Sequence, residues 1–284
     1  MFEYRTLEGV DIEVIHRAFV DAFSDYQVKI DLPLWKLQSM LQRRGYVAGK
    51  SIGAFKDGNL VGFILNGCRK WDERLTVYDL GTGVIPEYRR KGLTTSLFQK
   101  VLEKIRHEGV EQYLLEVIQQ NTAAYELYSK KGFEITRPFS CYKLMKSSYN
   151  PQNVYKVEQV GAFTEEQWVQ LKKFWDFEPS WQNSIESICA AAEEFGYFIA
   201  GVDTEIVGYG IIERKTGDIP QIAVDRNHRH KGIAGSILSA LVNCTESDKV
   251  AVLNIDDTSK STKDFLCEAG FEHYVDQYEM IMDL

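Results

Sequence analysis

The chain has 284 residues, 44% of them hydrophobic and 26% charged, with a formal net charge of −8. That is apolar material for one large domain or two ordinary ones, and no apolar run approaches the roughly 20 residues that span a bilayer. The acidic balance speaks against nucleic acid or an anionic membrane as partner. Five scattered cysteines (Cys68, Cys141, Cys189, Cys244, Cys267) lack metal-ligand spacing and read as reduced thiols of a cytoplasmic protein; Met1 to Arg5 have no signal-peptide character.

Residues 2–7 read as a strand. Ile12, Ile15, Phe19 and Phe23 then recur at three- and four-residue steps, the mark of one helix face. Ser24-Asp25-Tyr26 breaks that helix, and Leu34, Leu37 and Leu41 predict a second, entered after Pro33. Ser51 to Phe55 and Leu60 to Leu65 read as strands joined through Asp57-Gly58, a favoured hairpin turn. A further strand, from about Leu75, runs through Gly81, Gly83, Val84 and Ile85 into the basic turn Arg89-Arg90-Lys91-Gly92. Leu93, Leu97, Val101 and Ile105 follow at helical spacing, until His107-Glu108-Gly109 ends the helix. The first N–H groups of a helix have no internal partner, and the macrodipole adds positive character there. Such a start is a ready seat for a pyrophosphate, and Gly92 lets the ligand come close to the backbone.

Tyr113 to Ile118 reads as a central strand. In the next helix Asn121 or Thr122 can cap the start, and Gly132 stands where a closing glycine belongs. Seven residues separate Asn121 from Tyr128, so both lie along one face, with Tyr125 one turn before Tyr128. Glu134 to Leu144 read as closing strands, and 147–153 have linker composition. The pattern then returns. Val84 and Val224, Arg89 and Arg229, and Gly92 and Gly232 share an offset of 140 residues, and Gly270-Phe271 repeats Gly132-Phe133. A duplication at this period predicts two domains of one kind: 1–146 and 154–284 around the linker. Trp168, Leu171, Phe174 and Trp175 predict the first helix of the second copy.

The two motifs, at this separation on a strand–helix–strand–helix pattern, resemble the signatures of the GCN5-related N-acetyltransferases (GNAT). The first is Arg89, two residues, Gly92, one residue, then Thr94 in place of Gly or Ala; the second is Asn121 before a helix bearing Leu127-Tyr128 and closing in Gly132-Phe133. The resemblance implies an α/β (by some schemes α+β) fold of two tandem GNAT-like domains, each a mixed, mostly antiparallel sheet flanked by helices. It implies acetyl transfer from acetyl-CoA to the amine of a small molecule or peptide by direct attack, without a metal, in a monomer or homodimer. Arg89, Arg90, Lys91, Gly92, Leu93, Thr94 and Thr95 would hold the pyrophosphate. The N–H of Val84 or Ile85 would polarise the thioester carbonyl. Asn121 and Tyr125 would face the pantetheine arm, and Tyr128 would protonate the departing thiolate. Asp79 and Glu116 are the candidates for base, and Asp25 and Tyr26 for acceptor contact. The second copy fits the first motif better, so Val224, Arg229, Gly232 and Ala234 mark a possible second CoA site. Leu266 stands where Tyr128 stood, however, and Ser259 where Asn121 stood, which makes the first copy the expected catalyst. His228 and His230 read as surface charge. A CoA-binding regulatory or scaffold protein, or an acyltransferase with another donor or a hydroxyl acceptor, are the competing readings.

Overall fold

A computed structural model describes residues 1–25 and 32–284. They divide into two units that are not consecutive in sequence. The N-terminal unit comprises Met1–Glu116, Leu127–Glu134 and Met280–Leu284; the C-terminal unit comprises Val117–Glu126 and Ile135–Glu279. The family of elements anticipated from the motifs is present in both: a mixed, mostly antiparallel sheet with helices beside it.

The N-terminal unit is built from β1 (Glu3–Thr6), α1 (Ile12–Ala22), α2 (Leu34–Arg43), β2 (Ile52–Lys56), β3 (Asn59–Trp71), β4 (Arg74–Val84), α3 (Leu93–His107), most of β5 (Gln112–Ile118) and the second half of α4 (Thr122–Lys131). Strands β1 to β4 pair antiparallel in chain order, and β5 runs parallel to β4. The β2–β3 hairpin turns through Asp57 and Gly58, both at positive φ (51° and 82°), as a tight two-residue turn requires. Helix α1 buries Ile15, Ala18, Phe19 and Ala22; α3 buries Leu93, Leu97, Phe98, Val101 and Ile105. Each such large apolar side chain contributes about 1.5–3 kcal/mol on leaving water, which fixes α3 and therefore the direction of its N-terminus.

Two irregularities open β4 for use. Leu65 pairs with Gly81 but Asn66 with Asp79, so Leu80 is an extra residue in β4, a β-bulge. The parallel pairing with β5 covers only Thr76 to Tyr78, opposite Gln112 to Leu114. Beyond that point β4 and β5 have no paired residues among those described. A buried network anchors the strand facing the bulge: Asn66 accepts from the Tyr113 hydroxyl at 2.7 Å, and donates to the Lys50 carbonyl at 2.7 Å and to the Ser51 hydroxyl at 2.8 Å.

The C-terminal unit adds β6 (Glu134–Met145), β7 (Val157–Val160), α5 (Glu165–Leu171), α6 (Ile185–Ala190), β8 (Phe195–Val202), β9 (Glu205–Glu213), β10 (Gln221–Val224), α7 (Ile233–Cys244), β11 (Lys249–Asp256), α8 (Lys260–Glu268) and β12 (Glu272–Asp283). Its strands follow the orders β10-β9-β8-β7 and β12-β6-β11, with one parallel bridge between Asp218 and Ala251. Glu134 to Leu144 lies in one long strand rather than several, and Pro138 sits within it without ending it. The helix expected through Phe174 and Trp175 ends at Leu171; a single 3-10 turn carries the chain to Phe174, whose ring is buried beside Trp168 and Tyr209. Thr164 and Gln167 form a capping box that starts it.

Candidate active site

The turn after β4 has the conformation its sequence demands. Arg90 and Gly92 both sit at positive φ (58° and 79°). Alternation of this kind turns successive N–H groups toward one concavity, and the first-turn amides of Leu93, Thr94 and Thr95 extend it. A Cβ built on Gly92 would meet no atom within 4 Å, so the cradle is open on that side.

Arg89 has a different place from the one its charge suggests. Its Nε donates to the Val84 carbonyl at 3.1 Å and one terminal nitrogen to the Ala22 carbonyl at 2.7 Å. The guanidinium also makes two bonds, of 2.6 and 2.8 Å, to the Asp25 carboxylate. Arg89 thus clasps the end of β4 to the end of α1 and fixes the turn from behind. Asp25 is engaged in that clasp, and its bond to Arg89 holds its carboxyl below the usual range. Tyr26 lies outside the described residues. Arg90 and Lys91 are exposed at the turn itself.

Of the two amides considered for the thioester carbonyl, that of Ile85 donates to the Val61 carbonyl at 3.0 Å. Antiparallel strands alternate the direction of their N–H groups. The Val84 amide, one residue earlier and opposite Gly62, therefore points away from β3, on the side where β4 has left β5.

The titratable groups meet at the same parting of strands. Asp79 is buried. Its carboxylate accepts from the Gly81 amide at 2.8 Å, from the Thr82 hydroxyl at 2.7 Å and from the hydroxyl of Tyr128. Burial pushes its pKa up to about 6, against the pull of those three donors. Tyr128 is held edge-on against Phe98 and Phe133, each ring centre 5.7 Å away. Tyr78 shares a hydrogen bond with Glu116; burial first, and then that carboxylate, raise the Tyr78 phenol well above its usual value. Asp79 and Tyr128, read from the sequence as base and acid on separate elements, are thus direct partners. Thr82, the residue that fixes one Asp79 oxygen, was missed; only its place three residues on, beyond a bulge, would have marked it.

Asn121 and Tyr125 belong to the C-terminal unit. The Asn121 side chain accepts from the Ala124 amide at 3.2 Å, an N-cap, and the Tyr125 ring lies 5.8 Å from that of Tyr278.

The second copy reproduces the backbone of the turn and the placing of its arginine. His230 and Gly232 are at positive φ (60° and 86°). Arg229 donates to the Val224 carbonyl at 3.1 Å and the Phe174 carbonyl at 3.2 Å, and pairs with Asp176 at 3.0 Å. The Asp225 amide donates to Val207 as that of Ile85 does to Val61. Val224, Arg229, Gly232 and Ala234 line a cleft of about 940 Å³. The chemistry is not reproduced. Leu266 is fully buried in the core, and the Ser259 hydroxyl donates to Thr262. His228 is bound to Asp225 at 3.1 Å. Among the described residues, no group of three or more His, Cys, Asp or Glu could hold a metal, and no helix is long and apolar enough to cross a membrane.

Comparison with known proteins agrees with this geometry. The acetyltransferase (GNAT) family model matches residues 13–133, and an acetyltransferase (GNAT) domain model matches residues 153–280. The chain therefore belongs to the acetyltransferase (GNAT) family, with two domains of it in tandem. Streptothricin acetyltransferase of Streptomyces lavendulae is 34% identical over 83 residues, which is 29% of this chain and 42% of that protein. A tandem GNAT protein from the clavulanic acid biosynthesis pathway superposes with a TM-score of 0.74 at 14% identity, over 100% of this chain and 98% of its own. A GCN5-related N-acetyltransferase from Sphaerobacter thermophilus gives 0.72 at 16%, over 99% and 95%. At such identities the two structures speak for the fold alone.

Proposed function

We propose that the chain is an acetyl-CoA-dependent N-acetyltransferase whose N-terminal copy performs the transfer, by direct attack of an amine on the thioester. The observation that carries this reading is the Asp79–Tyr128 pair at the parting of β4 and β5, on the strand that also presents the Val84 amide. The CoA pyrophosphate sits on the Arg90–Gly92 turn and the first amides of α3. The Val84 N–H donates to the thioester oxygen as negative charge gathers there, which is often a large part of the catalytic effect. Asp79, with a value of about 6, is ionised at neutral pH and takes the proton of the attacking amine. Collapse of the tetrahedral intermediate breaks the C–S bond, and the phenol of Tyr128 protonates the thiolate. Once the amine's proton rests on Asp79, the Tyr128 hydroxyl no longer faces a charged acceptor and can turn its hydrogen to sulfur. Glu116, bound to Tyr78, is the alternative base. Asn121 and Tyr125 are assigned to the pantetheine arm by the family resemblance.

The acceptor is the amine of a small molecule or peptide. The curated relative acts, by its name, on streptothricin, so amine-bearing compounds of that kind belong in the first panel. The test is release of CoA thiol from acetyl-CoA across such a panel. Tyr128→Phe should lower kcat by about 10²-fold or more, the usual size of a proton-transfer contribution, while leaving CoA binding intact. Saturable CoA binding without turnover on any amine would instead favour a regulatory CoA-binding protein. An unchanged kcat across pH in Tyr128→Phe would remove Tyr128 from the mechanism.

A further inference from the structure

The two phosphate turns share their backbone but not their surroundings. In the first copy, a Cβ on Gly92 would meet nothing. In the second, a Cβ on Gly232 would lie 3.3 Å from the Val154 side chain, and one on Gly235 would lie 2.2 Å from the Gln152 side-chain oxygen. Both neighbours come from the segment between β6 and β7. That segment is fastened along α7 by two buried serines. Ser236 accepts from the amides of Val154 and Tyr155, each at 3.0 Å. Ser239 accepts from the Gln152 amide and donates to the Gln152 carbonyl, both at 2.8 Å. Tyr149 adds a bond of 3.0 Å to the same Ser239 hydroxyl. Gly232, Gly235, Ser236 and Ser239 fall at steps of three, one and three residues, so the strap follows one face of the helix from its first turn. Gly232 and Gly235 bracket the amides of Ile233 and Ala234, on which a phosphate would sit. Tyr149, Asn150 and Gln152 form part of the wall of the 940 Å³ cleft at that end.

Gly235 has a counterpart in the first copy. The residue at the same offset is Thr95, and Gln99 stands where Ser239 does. Thr at 235 would drive its Cβ into the Gln152 amide. The second copy has therefore exchanged a side chain beside the phosphate seat for one of the chain's own; of the two serines that hold it, Ser239 is new, while Ser236 has Ser96 as its counterpart.

We propose that the strap from Tyr149 to Tyr155 occupies the phosphate side of the second cradle, so that the chain takes up CoA in one copy only and the C-terminal cleft is closed to it by an intramolecular contact. The choice of CoA as probe rests on the function proposed above; the strap's effect on the second cradle does not. Strap and cradle both lie within the C-terminal unit, so the contact needs no rearrangement between units.

The test is the stoichiometry of CoA binding to the full chain by titration calorimetry, in the natural sequence and in two variants. Gln152→Gly combined with Val154→Gly removes the side chains over the cradle. Ser236→Ala combined with Ser239→Ala removes the fastenings and leaves the cradle untouched. One CoA per chain is expected for the natural sequence, and a second, weaker site in each variant. Circular dichroism confirms that the variants are folded; if one is not, the other decides. Two equivalent sites in the natural chain, or one site in all three proteins, would overturn the proposal while the function stands. No site in the natural chain with one in the variants would overturn the N-terminal assignment while the strap's role stands. No binding in any protein would reject both.

Discussion

Asp79 shows how one residue can couple stability to chemistry. Its carboxyl is buried with three donors around it, yet its value is raised to about 6, because lost solvation outweighs those donors. Below its ordinary value of 3.8 the group is protonated in both folded and unfolded chains, and the favourable difference is fully present. That difference is lost as pH rises through about 6, at a cost on the order of 3 kcal/mol. Asp79→Asn does not titrate. Its stability relative to the natural protein should therefore improve from pH 4 to pH 7.5, read as the difference in urea midpoint at each pH. The same substitution should lower kcat/KM at neutral pH by about 10²-fold and abolish its rise near pH 6. A stability difference independent of pH would place the titration on another group. The sequence offered Asp79 only as one of two strand carboxylates. A bulge one residue later decides where it faces and who its partners are; Gly81 and Gly83 fit a bulged strand but do not fix the extra residue at Leu80.

At the scale of elements, the turn between β4 and α3 was legible because its constraints are local. Positive φ at Gly92, free first-turn amides and an apolar helix face behind them all leave a mark in consecutive residues. Arg89 was legible as a motif residue but not in its job, since its partners, the Ala22 carbonyl and Asp25, come from a distant helix end. The clasp predicts a specific pattern. Arg89→Ala removes two charged hydrogen bonds to main-chain carbonyls, each worth about 1.5–3 kcal/mol. The Asp25 pair is largely exposed and contributes little more. Urea unfolding should show a loss of about 3–6 kcal/mol, with weakened CoA binding as the turn loosens. Lysine cannot reach three acceptors from one nitrogen, so Arg89→Lys should recover only a minor part. Full recovery by lysine would mean that charge alone matters there. Asp25→Asn should cost far less than either.

For the whole molecule, the duplication was legible from the offset of 140 residues, but the course of the chain between units was not. Sequence repeats mark domains as consecutive blocks. Here residues 117–126 and 135–145 count with the C-terminal unit, while Met280–Leu284 count with the N-terminal one. Nothing in those last residues distinguishes a strand end that serves its own copy from one that serves the other. Met280 and Met282 are buried, Asp283 pairs with Arg74 at 2.8 Å, and the Leu284 amide donates to the Glu111 carbonyl at 3.0 Å. Removing 280–284 should therefore destabilise the N-terminal unit, by about 2–5 kcal/mol for each buried methionine lost. Hydrogen exchange in α3 would report it, and protection equal to that of the full chain would show that the tail is dispensable there.

That feature also sets an order of events during synthesis. Domains of most chains fold as units while the ribosome is still adding residues, the N-terminal one first. Here the N-terminal unit lacks a piece of itself until residues 280–284 have been made, after nearly the whole C-terminal unit. The half proposed to carry the chemistry is thus the last to be finished, and a chain cut short anywhere in its second half would release that half incomplete.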